Sequence, residues 1–174
     1  MPLNIVYTAS LDITAKVITA FVIIVSAGLL YWNIRSFRKA KGDGWIIIMH
    51  AFIMLLVVTI TVASYLFSPQ KYTVGNFDIV INRPISNVLI HVKDISEIRG
   101  VNPGEMDGTS RTLGVGGLFG YYGNYYNGHT GDMKWYATRN DNLVLIRTVQ
   151  GETIVISPDD KDFAARILAK MHDL

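Results

Sequence analysis

Two uninterrupted apolar runs flank a short basic clip, and no other feature restricts the fold of this chain as strongly. Val17 to Ile34 contains no charge and no proline, and Trp45 to Phe67 contains His50 as its one ionisable residue. At about 1.5 Å per residue the runs reach roughly 27 and 34 Å, enough to cross a hydrocarbon core of about 30 Å. A soluble core helix carries an apolar stripe, not an apolar circumference of that length. The chain therefore reads as a membrane hairpin with a head. A lead-in covers 1–16, a first span 17–34, a basic loop 35–44, a second span 45–67 and the head 68–174.

The placement of positive charge orients the hairpin. Arg35, Arg38, Lys39 and Lys41 crowd the loop, whereas the residues before the first span hold only Lys16. Loops rich in Lys and Arg stay cytoplasmic, so the lead-in and the head are expected outside. A cleaved secretory signal fits poorly. Met1 to Leu11 has no basic residue, and the first apolar run ends in Tyr31-Trp32-Asn33 rather than a small-x-small site. Tyr31, Trp32 and Trp45 are placed as anchors at one interface, Tyr65 and Phe67 at the other.

Charge and cysteine content narrow the function of the head. From Pro69 onward, 11 Lys and Arg face 12 Asp and Glu, so nucleic acid is not an expected partner. The chain has no cysteine, which excludes disulfides, thiolate catalysis and Cys-ligated zinc.

Beyond Ser68-Pro69-Gln70, where proline stops the second helix, the pattern changes to β. Short strands are expected over Phe77–Ile81, Val88–Val92, Ile98–Val101, Met133–Thr138, Leu143–Val149 and Glu152–Ile156. Asn140-Asp141-Asn142 and Gln150-Gly151 are the expected turns of two antiparallel hairpins. Ser157-Pro158-Asp159-Asp160 has the composition of a helix start, with Ser157 as cap. Phe163, Ala164, Ile167, Leu168 and Met171 then mark the apolar face of a C-terminal helix. The fold class is α+β: a two-helix hairpin, then a small barrel or bent sheet of six or seven strands plugged by the last helix.

Several strings together resemble the bacterial pleckstrin-homology-like (bacterial PH) domain family. They are Arg111-Thr-Leu-Gly114-Val-Gly116-Gly117-Leu-Phe-Gly120-Tyr-Tyr-Gly123, Trp135-Tyr-Ala-Thr138-Arg139, Asn142-Leu-Val-Leu-Ile146 and Ile156-Ser-Pro-Asp-Asp160. The resemblance covers about 72–172. It implies two nearly orthogonal antiparallel sheets of about seven strands closed by the C-terminal helix, and no catalytic chemistry; the hairpin, which it does not cover, adds the expectation of a multi-pass protein of the bacterial cytoplasmic (inner) membrane. Phosphoinositide binding does not carry over, because Thr73 to Ile81 lacks the basic cluster that eukaryotic PH domains use.

The motifs that suggest chemistry have plainer readings. Gly114-x-Gly116-Gly117-x-x-Gly120 lacks the following helix of a dinucleotide site and the Gly-Lys-Ser/Thr of a phosphate loop. His91, His129 and His172 show no ligand spacing, and Asp159-Asp160-x-Asp162 reads as a capping turn, so no metal or cofactor is expected. His50 has no acidic partner in either span and reads as structural. The remaining candidate site is the Gly/Tyr segment, 114–128, where Phe119, Tyr121, Tyr122, Tyr125 and Tyr126 are interleaved with glycine and asparagine. These rings either pack back on the barrel or contact a protein partner, a second copy or the membrane surface. The reading is a non-enzymatic, membrane-tethered interaction module. The alternative is a head that binds lipid or a small ligand.

Overall fold

A computed structural model of the protein describes residues 4–39, 44–102 and 104–172. Helix α1 (Ile13–Lys39) and helix α2 (Gly44–Phe67) are the two apolar runs, each longer than expected at one end or both. Phe21, Ile24, Trp32, Ile48, Phe52 and Leu55 point outward from them, so the pair has no aqueous face along most of its length. The helices meet along a seam that includes Ser26 and Ala27 of α1 and Thr61 of α2. Small side chains permit that approach, and the Thr61 hydroxyl is satisfied by the Val57 carbonyl at 2.9 Å. Both helices are long and apolar enough to cross a membrane.

The head contains two sheets. The first has the order β1-β2-β3-β4, formed by Ile5–Thr8, Lys71–Val74, Asp78–Asn82 and Val88–His91. The second runs β5-β9-β10-β8-β7-β6, from Ile95–Gly100, Val144–Thr148, Thr153–Ile156, Gly131–Ala137, Tyr121–Asn127 and Ser110–Gly116. Helix α3 (Phe163–His172) follows. The α+β class and the order of hairpin, sheets and terminal helix agree with the sequence, but the sheets do not close into a barrel.

Several local expectations are corrected. Residues 5–8 are more than a lead-in. Strand β1 pairs antiparallel with β2, Tyr7 opposite Tyr72, so the chain enters the head before it enters α1. Strands β8 and β9 do not form a hairpin: β10 lies between them and pairs parallel with β8. The cap of α3 is also displaced. The Ser157 hydroxyl accepts the Thr138 amide at 2.8 Å, and α3 starts only at Phe163, whose amide reaches the Asp160 carbonyl. Leu168, expected in the core, is exposed.

Alternation along the second sheet gives it two buried faces. Val144, Ile146, Ile154 and Ile156 point toward the first sheet and meet Tyr72, Ile79, Ile81 and the α3 residues Phe163 and Ile167. Tyr7 packs edge-on against Phe163 with ring centroids 4.8 Å apart. The Tyr72 hydroxyl, pushed up to about 12 by burial, donates to the Tyr136 carbonyl at 2.7 Å and accepts from the Ser157 amide. On the opposite face Tyr121, Tyr125, Met133, Trp135, Ala137 and Val155 form a second cluster, completed by Ala15 of α1 and Leu11 just before it.

Candidate functional site

The Gly/Tyr segment is a β-hairpin, β6–β7, with its tip at Gly117–Gly120. Gly114 and Gly123 are directly opposite in its register. Their φ values are 136° and 121°, and a Cβ on either would overlap the backbone of the other strand. Glycine is required there by the close approach of two chains as well as by the dihedral.

Strand β7 is held between the ends of both apolar helices. Adjacent strand residues point to opposite faces, and the two tyrosines that open β7 use this. Tyr121 faces α1, its hydroxyl 3.3 Å from Asp12 Oδ2. Tyr122 faces α2, its hydroxyl donating to the Ser64 carbonyl. At the tip, Thr19 Oγ1 donates to the Gly117 carbonyl at 3.2 Å and accepts the Phe119 amide at 2.9 Å. Phe119 packs edge-on against Tyr65 of α2, with centroids 5.5 Å apart.

This geometry corrects the reading of the five rings as one outward interaction surface. Tyr121, Tyr122 and Tyr125 retain 8%, 6% and 7% of their exposure, so the alternative in which they pack back holds for these three. Tyr125 stacks on Trp135 at 4.7 Å, and its hydroxyl donates to the Val115 carbonyl at 2.8 Å. Burial pushes the Tyr121 and Tyr122 hydroxyls up to about 12, with the nearby Asp12 carboxylate adding to the rise at Tyr121, so both stay neutral donors. Tyr126 remains 46% exposed, and Phe119 is half-buried at the tip.

The residues that complete this joint were not singled out from sequence. Asp12 caps α1, accepting the Ala15 amide at 2.6 Å, and also accepts the Asn140 amide of the head at 3.1 Å. An aspartate just before an apolar helical run is a recognisable cap signal, but its second role toward the head has no local signature. Asp159 is likewise not a cap. Its carboxylate takes the Ser10 hydroxyl at 2.7 Å and Arg139 Nη1 at 3.0 Å. Burial pushes Asp159 up, but these partners outweigh it and hold it below the usual carboxylate range.

The other candidates are placed as follows. Arg35, Arg38 and Lys39 are exposed at the C-terminal end of α1, while Lys41 lies outside the described residues. His50 Nδ1 lies 2.9 Å from the Ile46 carbonyl one turn back. His91 pairs with Asp78 at 2.5 Å. Among the described residues, no group of three His, Asp or Glu side chains is placed to hold a metal ion.

Two concavities adjoin the hairpin. A cleft of about 630 Å³ opens beside the second cluster, with Tyr121, Tyr125, Trp135 and Leu143 among its walls and Arg111, Asp107 and Asn142 among its polar groups. Arg111 lies beside the Tyr125 hydroxyl, whose value burial nonetheless raises. Trp135 Nε1 is buried with no acceptor among the described residues. A groove of about 550 Å³ separates the end of α2 from β6 and β7.

No curated protein and no solved structure is significantly similar to the chain. The family model described as Bacterial PH domain matches residues 70–170, which is more than half of the sequence and runs from β2 into α3. The chain belongs to the bacterial PH domain family.

Proposed function

We propose that the protein is a non-enzymatic, membrane-tethered interaction module whose working surface is the outer edge of β6. One observation carries this reading: the six-stranded sheet ends in a seven-residue strand, Ser110–Gly116, that is exposed along almost its whole length, Leu113 to 72%. An edge strand offers a row of main-chain donors and acceptors to an incoming strand, and proteins normally blunt such edges with proline, charge or a cover. Here Arg111 and a bulge between Arg111 and Leu113 are the interruptions within the strand. A protein partner or a second copy would pair with this edge. The absence of enzymatic chemistry is supported by the carboxylates. Hydrogen bonds from Arg99 and Arg139 hold Glu105 and Asp141 low, and with Asp159 they stay charged in structural pairs rather than poised for proton transfer.

Orientation is part of the proposal. The lead-in strand and the head share one sheet, so both lie on one side of the bilayer. The cations at the end of α1 then favour a cytoplasmic loop and an extracytoplasmic head in the bacterial inner membrane. Since the chain lacks cysteine, single introduced thiols are unambiguous. Ser110→Cys should label with an impermeant reagent from outside and form an oxidised dimer, or a photo-crosslinker at Ser110 should capture a protein in membranes. Gln150→Cys, at the β9–β10 turn, should label but not crosslink. If Ser110 crosslinks to nothing, the edge is not the working surface.

A second reading rests on the 630 Å³ cleft, where Arg111, the Tyr121–Tyr125 face and apolar walls converge. Convergent polar groups in a partly apolar concavity suit a small ligand. Thermal stabilisation by an anionic metabolite set, lost in Arg111→Gln, would favour it over the edge.

A further inference from the structure

Placing the apolar length of α2 across a bilayer puts the groove between α2 and the hairpin where hydrocarbon gives way to headgroups. The head takes the last turn of α2, since Ser64 is buried against it, and leaves Gly44 to Ala63 uncovered. That stretch of about 20 residues spans roughly 30 Å, the thickness of a hydrocarbon core. Ile60 is then within the hydrocarbon, Ala63 at its boundary, and Phe67 among headgroups, roughly 10 Å along the helix from Ile60. These three side chains form one wall of the groove, and Leu113 and Val115 are on the opposite side.

Arg83 closes the headgroup end. It belongs to the β3–β4 connection, which is tied to α2 by the Ile85 amide donating to the Leu66 carbonyl at 3.1 Å. The guanidinium is fixed between two rings, 5.8 Å from the Phe67 centroid and 5.5 Å from that of Tyr136. Its Nε and Nη2 donate to Ser86 at 2.8 and 2.9 Å. Among the described residues no carboxylate pairs with it. An oriented, unneutralised cation at the end of an apolar groove calls for an anion attached to an apolar chain.

We propose that this groove binds one anionic glycerophospholipid of the surrounding leaflet, its phosphate on Arg83 and an acyl chain along Ile60 and Ala63. A second copy of the hairpin fits less well. Neither span contains Asp or Glu, so a neighbouring helix has no counter-anion to offer at that depth. The site shares Leu113 with the β6 edge but takes its cation from the β3–β4 connection, so Arg83→Gln tests it without altering that edge.

The test is native mass spectrometry of the full chain released from nanodiscs containing phosphatidylglycerol and phosphatidylethanolamine. The wild type should retain one phosphatidylglycerol per chain through stepwise delipidation. Arg83→Gln should lower that retention by about tenfold, the loss of one charge-assisted contact. Ala63→Phe keeps the cation but fills the tail channel, and should lower retention as well, which guards against a folding defect peculiar to Arg83→Gln. Millimolar inorganic phosphate should not displace the lipid. Equal retention of both lipids by wild type and Arg83→Gln would overturn the proposal. So would displacement by phosphate alone, which would mark a plain anion site.

Discussion

The two buried clusters of the head differ in where their residues come from. The first is mainly aliphatic and belongs almost wholly to the head: Ile79, Ile81, Ile146 and Ile156 from the sheets, Phe163 and Ile167 from α3, with Tyr7 as the lead-in's addition. The second is built around aromatic rings and incomplete without the anchor, since Ala15 of α1 and Leu11 just before it join Tyr121, Tyr125 and Trp135. The first resembles an ordinary domain core. The second is a joint, built where a folded head is held at a fixed place on two long apolar helices. Tyrosine suits a joint because its ring fills apolar space while its hydroxyl reaches a helix terminus. The helix ends supply the matching groups: the Asp12 carboxylate at the start of α1 and the Ser64 carbonyl in the last turn of α2.

The sharpest way to break this comparison is to remove a ring from the joint. Tyr125→Ser should cost about 3–5 kcal/mol, as for other buried aromatic truncations, and lower the melting temperature of the full chain by roughly 10 °C. Tyr126→Ser, on the same strand but exposed, should change it by less than about 2 °C. Equal effects would mean that the two tyrosines share one environment. A smaller effect isolates the hydrogen bond to α2. Tyr122→Phe keeps the ring and removes the hydroxyl, leaving the Ser64 carbonyl without that donor, and should cost about 1–2 kcal/mol by denaturant unfolding. No change would show that the ring alone makes the joint.

The smallest expected effect concerns the link between the lead-in and the head. Asp159 is held below its ordinary value of 3.8 in the folded chain. Its contribution is therefore full above that value and disappears as pH falls through the lower folded value. Asp159→Asn should destabilise the chain by about 1 kcal/mol at pH 7, after allowance for its partial exposure. The difference between variant and wild type should shrink below about pH 3.8. A difference that persists in acid would assign the effect to packing instead of charge.

The sequence was most legible where a single period dominated. Two long apolar runs gave the hairpin, alternation gave β3, short apolar stretches bounded by turn residues gave β8, β9 and β10, and the 3.6-residue spacing of Phe163, Ala164 and Ile167 gave α3. It was least legible where one residue serves two distant elements. Asn140 to Asn142 has the composition of a hairpin turn, yet the chain carries on around β10, and Asn142 Nδ2 donates to the Pro158 carbonyl at 2.5 Å. Strand β1 is four residues long and separated from its partner by both helices, so no local pattern marks the pairing. The tyrosines were visible as a cluster, but their direction depends on register. Gly123 lies between Tyr121 and Tyr125 on one strand, and only its pairing with Gly114 fixes which rings turn inward.

Residue-level oxidative footprinting of the full chain in nanodiscs reads directly whether the β6–β7 hairpin is an internal joint. Tyr126 should be modified readily, while Tyr121, Tyr122 and Tyr125 stay protected to the same degree as Tyr72, the fully buried tyrosine of the first cluster. Modification of Tyr122 and Tyr125 at the rate of Tyr126 would contradict the account and restore the hairpin as an outward aromatic surface.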